Sequence, residues 1–385
     1  MKILVILPQI ETLGGIERLS LDLYHSFRNM GISSDLLCLH PSSQNYSENC
    51  SARGFAININ EIIRLKMPVS PNLFDVLITI YRLRKFILTG CYDVVETGHL
   101  SSTFITSFAI IFSKVRHVVG IHYVYKKNND NSLKLFLYAL LIKYFSWKVY
   151  CVSEYTKKMW CEYSSMKRDK IHVVHNAISD KFFLNSDSLL FNDNFGLSLS
   201  TKILLFVGRH DSEKGFEVIW DSLKNDLINL DLAIFYVGDV NLFDIIGTKR
   251  LEKLKREVEN SQLKERVHFL GPRNDIHNLM ALSYMLIHPT RREAFGMVIA
   301  EAMAIGIPVI STDVDGLSSL YSGSSIEWIP PNDVEKLRIA VFKYLNLSTD
   351  ARNGIIKKNK DFVLRFQMHD RVNRILKLMS LEEFS

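Results

Sequence analysis

Cysteine is scarce in this chain of 385 residues: there are five, Cys38, Cys50, Cys91, Cys151 and Cys161, with no C-x-x-C pair among them. An odd, scattered set argues against a disulfide framework and against a zinc site, and it favours the cytoplasm. Long apolar runs are missing too. A membrane span needs about 18 uncharged apolar residues. Phe104–Phe112 is too short, and Leu133–Val152 is interrupted by Lys134, Lys143 and Lys148. Met1–Leu7 has only Lys2 before its apolar run and meets Pro8 at once, so it reads as a buried strand and not as a signal peptide. Acidic residues are short in the first half. Residues 1–185 carry 22 Lys+Arg against 14 Asp+Glu, a charge of +8, while 186–385 carry 25 against 27, a charge of −2. A basic half suits nucleic acid, an anionic membrane face or a phosphorylated acceptor, and charge alone does not choose.

What is present is an ordinary globular balance, 47% apolar and 23% charged. The length exceeds what one hydrophobic core usually serves, which predicts two domains. Short apolar runs without polar alternation read as strands buried on both faces: Ile3–Leu7, Asp35–Leu39, Val94–Glu96, Val115–Ile121, Val149–Val152 and Ile171–Val174. Helical patterns separate them at Ile16–Met30, Ser102–Phe112, Leu133–Phe145 and Glu154–Tyr163. Asn, Ser, Asp and Gly then crowd residues 179–200, which is linker chemistry. The alternation restarts at Ile203–Val207 and continues through Leu232–Val237, Val267–Leu270, Leu286–His288, Pro308–Ser311 and Ile326–Ile329. Strand–helix alternation gives doubly wound α/β domains, whose ligands bind at the carboxyl ends of the strands. The expected division is a first domain at 1–185, a linker at 186–200, a second domain at 201–360 and a helical segment at 361–385 that crosses back to the first.

Three segments carry chemistry. Arg292-Glu293-Ala294-Phe295-Gly296-Met297-Val298 follows a strand, with a helix expected to begin near Phe295 or Gly296, and Glu301 lies in its second turn. Free N–H groups at a helix start hold anions or hydroxyls, and two carboxylates at this offset can accept hydrogen bonds from one ligand. The plainer reading makes Glu293 an acid that favours the helix start and Glu301 a helix charge paired with a neighbour. In the second segment a strand ends at Val207, Gly208 makes the turn, and Lys214 is expected to open the next helix. Arg209 and Lys214 can both reach a diphosphate, although two solvated loop cations would look the same. In the third, Gly14 and Gly15 stand at the first strand–helix turn, where phosphate or sugar could approach. G-x-G-x-x-G is absent, so this is no dinucleotide fingerprint.

Together and in this order, these segments resemble glycosyltransferase family 4, a large retaining family with the GT-B fold of two Rossmann-like domains. The match is carried by the E-x7-E pair Glu293 and Glu301, the run Ala302-Met303-Ala304-Ile305-Gly306-Ile307-Pro308-Val309-Ile310, and Val207-Gly208-Arg209 with Lys214-Gly215. Val152-Ser153-Glu154-Tyr155-Thr156 and Asn176 fit as well. It spans nearly the whole chain and is loose over residues 40–90. The resemblance implies that Arg209 and Lys214 bind the donor diphosphate, that Glu301 holds the ribose and that Glu293 contacts the transferred sugar beside the N–H groups of Phe295, Gly296 and Met297. It also implies that Gly15 lines the diphosphate and that His122 lies near the sugar. Tyr123 stands where relatives often carry an acid, and Ala294 where they often carry Gly. His99 ends a first-half strand and is a candidate for facing the acceptor.

The implied activity is metal-independent, retaining transfer from a nucleotide diphosphate sugar, with UDP favoured over GDP, and no cofactor. The implied acceptor is a glycan or lipid-linked oligosaccharide of bacterial polysaccharide or lipopolysaccharide synthesis. Peripheral contact with an anionic membrane through Lys126, Lys127, Lys134 and Lys143 is expected, and no nucleic acid. Asp313-Val314-Asp315 spells the D-x-D of metal-dependent transferases of another fold and is taken as a loop coincidence. A sugar-nucleotide epimerase of similar fold, or a basic binding module without catalysis, are the alternatives. The latter gives Arg209, Lys214, Glu293 and Glu301 no joint role.

Overall fold

The computed structural model describes residues 1–9, 14–41, 62–126, 133–184, 195–241 and 244–380. Leu13, Lys127 and the 186–194 part of the expected linker lie outside them. The chain forms two compact units, Met1–Ala177 with Phe366–Ser385, and Ile178–Arg365. The first division falls at Ala177, ahead of the 186–200 stretch, and the return falls at Phe366.

The first unit is built on β1 (Lys2–Leu7), β2 (Ser33–Cys38), β3 (Ile62–Arg64), β4 (Val94–Thr97), β5 (Arg116–Ile121), β6 (Lys148–Cys151) and β7 (Ile171–Val173). All pair in parallel, in the order β3-β2-β1-β4-β5-β6-β7. Ile3 to Leu7 are fully buried, as expected of a strand covered on both faces. One core layer joins β1 and the helix Gly15–Asn29 to the last helix, Met368–Met379, through Leu19, Leu23, Phe27, Val372 and Ile375. Between β3 and β4 runs the helix Leu73–Thr89, which the sequence reading did not include. Its start is a reciprocal cap: Asn72 Oδ1 accepts from Asp75 N–H at 2.9 Å, and Asp75 Oδ2 accepts from Asn72 N–H at 3.1 Å.

The second unit carries β8 (Lys202–Val207), β9 (Leu232–Val237), β10 (Val267–Gly271), β11 (Met285–His288), β12 (Val309–Thr312) and β13 (Glu327–Ile329). They too are parallel, in the order β10-β9-β8-β11-β12-β13. Both units are therefore Rossmann-like α/β domains. In each sheet the strand order reverses once, between β1 and β4 and between β8 and β11. Loops leaving the two central strands part there and open a crevice at their carboxyl ends.

Three local expectations are corrected. Lys214 does not open a helix; the helix starts at Glu217, and Lys214 lies in the preceding turn. The helical segment expected at 361–385 is not one helix: it takes in the end of one and all of the next. Thr349–Val363 ends in a 3₁₀ turn, Leu364–Phe366, and Gln367 is extended before Met368–Met379 begins. The helix expected at Ser102–Phe112 spans Leu100–Ala109, and Phe112 has φ +59°, which an α-helix does not accept.

Candidate active site

The central feature of the second unit is a junction between the loops that leave β8 and β11. Thr290 Oγ1 and Arg291 N–H both donate to the Glu213 carbonyl, at 3.1 and 2.6 Å. Arg291 reaches further, to the Ser212 carbonyl at 2.8 Å and to Glu217 at 2.7 Å. Gly215 has φ +62°, and a Cβ there would stand 2.1 Å from the Pro289 carbonyl oxygen. Only glycine allows the two backbones this close.

This stitching brings Lys214 to Glu293. Lys214 Nζ lies 2.8 Å from Glu293 Oε2, and the two side chains are 16% and 17% exposed. His288 Nε2 lies 3.5 Å from the same oxygen. Glu293 Oε1 accepts from the N–H groups of Ala294 at 3.0 Å and Phe295 at 3.4 Å. Burial alone would push this carboxyl up; the Lys214 ammonium, then His288, outweigh it and hold it well below the usual carboxylate range. Burial pulls His288 down, so it is neutral at pH 7, although Glu293 opposes this.

Gly296 caps the helix Met297–Ile305 with φ +78°. Met297 and Val298 are its partly exposed first residues. Glu301 sits in the second turn and is 6% exposed. Both acids act on one phenol. Burial, then the charges of Glu293 and Glu301, push the Tyr321 hydroxyl well up, and that hydroxyl donates to the Gly296 carbonyl at 3.1 Å.

Arg209 is placed differently. Its side chain is 58% exposed, and Nη2 lies 3.2 Å from Asp211 Oδ2. It flanks the Lys214 loop without joining the Lys214–Glu293 pair. Gly208 makes the turn because Gly238, at φ +141°, lets the end of β9 press against it; a Cβ on Gly238 would lie 1.9 Å from the Gly208 oxygen.

Sequence reasoning missed three contributors. His288 and Tyr321 carried no motif. Asp315 was set aside with the D-x-D triplet, yet it is buried, has φ +52° and accepts from Glu293 N–H at 3.0 Å. It anchors the backbone of the very residue whose carboxylate meets Lys214. The offset of Asp315 from Glu293 gave no cue, because that contact joins the loops after adjacent strands β11 and β12.

In the first unit, Gly14 is the extended N-cap of the helix Gly15–Asn29, and both glycines are exposed. His122 follows β5 and lines a cavity of about 210 Å³ with Gly98, His99, Gly120, Tyr123 and Tyr138. Burial, then Arg371 and His99, pull the His122 pKa well down, opposed by a hydrogen bond with Asn176. His99 Nε2 is 3.3 Å from Glu17 Oε1, and burial outweighs that carboxylate and lowers it too. The cavity sits where β1 and β4 part.

Residues 13–182 match the family model "Glycosyltransferase Family 4", and residues 190–362 match "Glycosyl transferases group 1". The chain is 29% identical to N-acetyl-alpha-D-glucosaminyl L-malate synthase of Bacillus anthracis over 38% of this chain and 36% of that protein. It is 25% identical to the UDP-Gal:alpha-D-GlcNAc-diphosphoundecaprenol alpha-1,3-galactosyltransferase of Escherichia coli over 89% of each. Among solved structures, Anabaena HepE in complex with UDP and glucose superposes with a TM-score of 0.84 at 18% identity, covering 99% of this chain and 100% of that one. Across the first curated relatives the chain spans between about a third and two thirds of their length. Two parallel Rossmann-like sheets, the junction at Glu293 and these matches over both halves make the chain a member of the glycosyltransferases, family 4 in its first half and group 1 in its second, with the GT-B fold.

Proposed function

We propose that the chain transfers a sugar, with retention and without a metal ion, from a nucleotide diphosphate sugar to a glycan or lipid-linked acceptor. The observation that carries this is the Lys214–Glu293 contact at the carboxyl ends of adjacent strands β8 and β11. An ammonium has three donors. Pairing with Glu293 leaves two for the diphosphate, and Arg209, exposed and earlier in the same loop, adds a fork suited to phosphate. Both cations offset the charge that grows on the departing diphosphate. Glu293, ionised at neutral pH, accepts from sugar hydroxyls, and Glu301 from the ribose. His122, neutral, faces the sugar as a hydrogen-bond partner. A diphosphate oxygen takes the acceptor proton on the face the nucleotide leaves, which gives retention.

UDP is favoured because the Escherichia coli relative is named for UDP-Gal and the Anabaena structure holds UDP. A thermal-shift screen over UDP, GDP and their sugars is expected to show stabilisation by UDP first, since a ligand of the native state raises its melting point. NMR of the product from an α-linked donor is expected to show an α-linkage. A β-linked product would end the retaining reading, and donor consumption without acceptor would favour epimerisation.

The acceptor reading extends to the first unit's surface, with the protein placed in the cytoplasm against the inner membrane face. Among the described residues no helix is long and apolar enough to cross a membrane. The solvent faces of Leu73–Thr89 and Leu133–Phe145 are nonetheless apolar: Leu77, Tyr81 and Leu88 on one, Leu133, Leu137 and Tyr144 on the other. Lys85, Lys134 and Lys143 flank them, all exposed, and Lys126 lies nearby in sequence, partly buried. Residues 97–153 hold one acid, Asp130, against seven Lys or Arg. Apolar stripes with basic flanks suit an anionic lipid surface. The protein should float with vesicles rich in anionic lipid at low salt, and Leu137→Glu with Tyr144→Glu should abolish this while transfer to a water-soluble acceptor continues. Unchanged flotation of that variant would refute the lipid assignment.

A further inference from the structure

The buried side chains of the helix Met368–Met379 are Met368, Arg371, Val372, Ile375, Leu378 and Met379. All but one are apolar. Arg371, 3% exposed, stands where leucine would serve packing. A buried guanidinium is costly unless partners replace its water. Here Nη1 donates to the His175 carbonyl at 2.8 Å, to the Val174 carbonyl at 3.4 Å and to Asn176 Oδ1 at 3.3 Å. Nη2 donates to Tyr150 Oη at 3.3 Å.

Tyr150 passes this contact on. Its hydroxyl donates its one proton to Glu96 Oε1 at 2.8 Å, and Glu96 is buried. The phenol oxygen can therefore only accept from its remaining neighbour, His122 Nε2 at 3.5 Å. That requires the proton of a neutral imidazole to sit on Nε2. The rings meet edge to face, with centroids 5.8 Å apart. Gly120 leaves the space: a Cβ there would lie 2.5 Å from Tyr150 Oη and 2.7 Å from His122 Nε2. His122 also lines the cavity.

We propose that Arg371 is a positioning residue for His122: by anchoring Tyr150 and Asn176 it fixes the tautomer and orientation of the imidazole at the cavity wall. The inference rests on His122 as the sugar-facing group of the proposed transferase. It adds that a side chain from the last helix, more than 200 positions away in sequence, sets the state of that group.

The test uses the full chain with ¹⁵N-labelled histidine, a His122→Gln variant to assign the signal, and two further variants, Tyr150→Phe and Arg371→Lys. In the wild type, His122 is expected as a single Nε2–H tautomer. Tyr150→Phe removes the acceptor at nearly constant shape, and the proton should redistribute to Nδ1. Arg371→Lys keeps the charge but cannot reach Asn176 and Tyr150 together, so the signal should broaden into both tautomers. Both variants should lower kcat, by up to roughly 100-fold as misplaced groups do, with KM for the donor nearly unchanged. An Nδ1–H tautomer in the wild type overturns the proposal. So does an unaltered His122 signal in either variant that melts as a folded protein. A chain that transfers no sugar at all would defeat the transferase reading, while the tautomer measurement still decides the network.

Discussion

Lys214→Met is expected to reduce kcat by roughly 100- to 1,000-fold, the usual effect of removing one preorganised donor from a leaving-group site. The side chain is near in volume, so the loop should persist. The same substitution should alter stability in a way that depends on pH. In the wild type Lys214 holds Glu293 below its ordinary pKa despite burial. A depressed carboxyl contributes stability at every pH above its unfolded value, and that contribution is lost only as pH falls through the folded value, below about 4.5. Without Lys214, burial dominates and the Glu293 pKa rises. The variant is then penalised at pH 7 and relieved as Glu293 takes up a proton. The stability gap between the two proteins should narrow between pH 7 and pH 5, measured by urea unfolding. A gap constant across that interval would mean that Lys214 and Glu293 are not coupled. Glu293→Gln should lose activity comparably without the pH-dependent gap.

Gly215→Ala is the second large effect. The left-handed conformation costs an L-residue roughly 1–2 kcal/mol. The new methyl must also displace the Pro289 carbonyl, which lies 2.1 Å from the Cβ position. Gly271 supplies the control, since it has φ +63° and nothing within 4 Å. Gly271→Ala should cost only the backbone term, whereas Gly215→Ala should cost about 2 kcal/mol more, within the range for overpacking. At roughly 2–4 °C per kcal/mol for a unit of this size, calorimetry should separate them by about 4–8 °C. Equal melting points would show that the two loops yield freely. Moving Pro289 also moves the path to Glu293, so Gly215→Ala should weaken donor binding and Gly271→Ala should not.

The sheets were legible because parallel strands covered on both faces are continuous apolar runs. Twelve of them could be read within about two residues of their ends, the usual uncertainty of such boundaries. β3 escaped because Ile62–Arg64 is too short to make a run. The helix Leu73–Thr89 escaped although its start is written locally as Asn72 and Asp75. Its apolar residues lie on the exposed face as well as the buried one, which blurs the 3.6-residue period. In the site, Glu293, Lys214, Gly296 and Glu301 stood out because each belongs to a strand–turn–helix segment with local chemistry. Asp315, His288 and Tyr321 act across strands or through burial, and no local spacing announces that. Arg371 is the extreme case, since its partners come from β6 and the turn after β7.

The return of Phe366–Ser385 to the first unit has a consequence for how the protein is made. Ile178–Arg365 is one uninterrupted stretch, so everything its sheet needs has been synthesised before the last helix is. The opposite holds for the unit begun first. Its inner layer waits for Val372, Ile375 and Leu378, and its buried Tyr150 waits for Arg371. Translation order and completion order are thus inverted: the half that starts to emerge earliest matures last. A nascent chain stalled before Phe366 would lack the side chains that complete the layer around Leu19, Leu23 and Phe27.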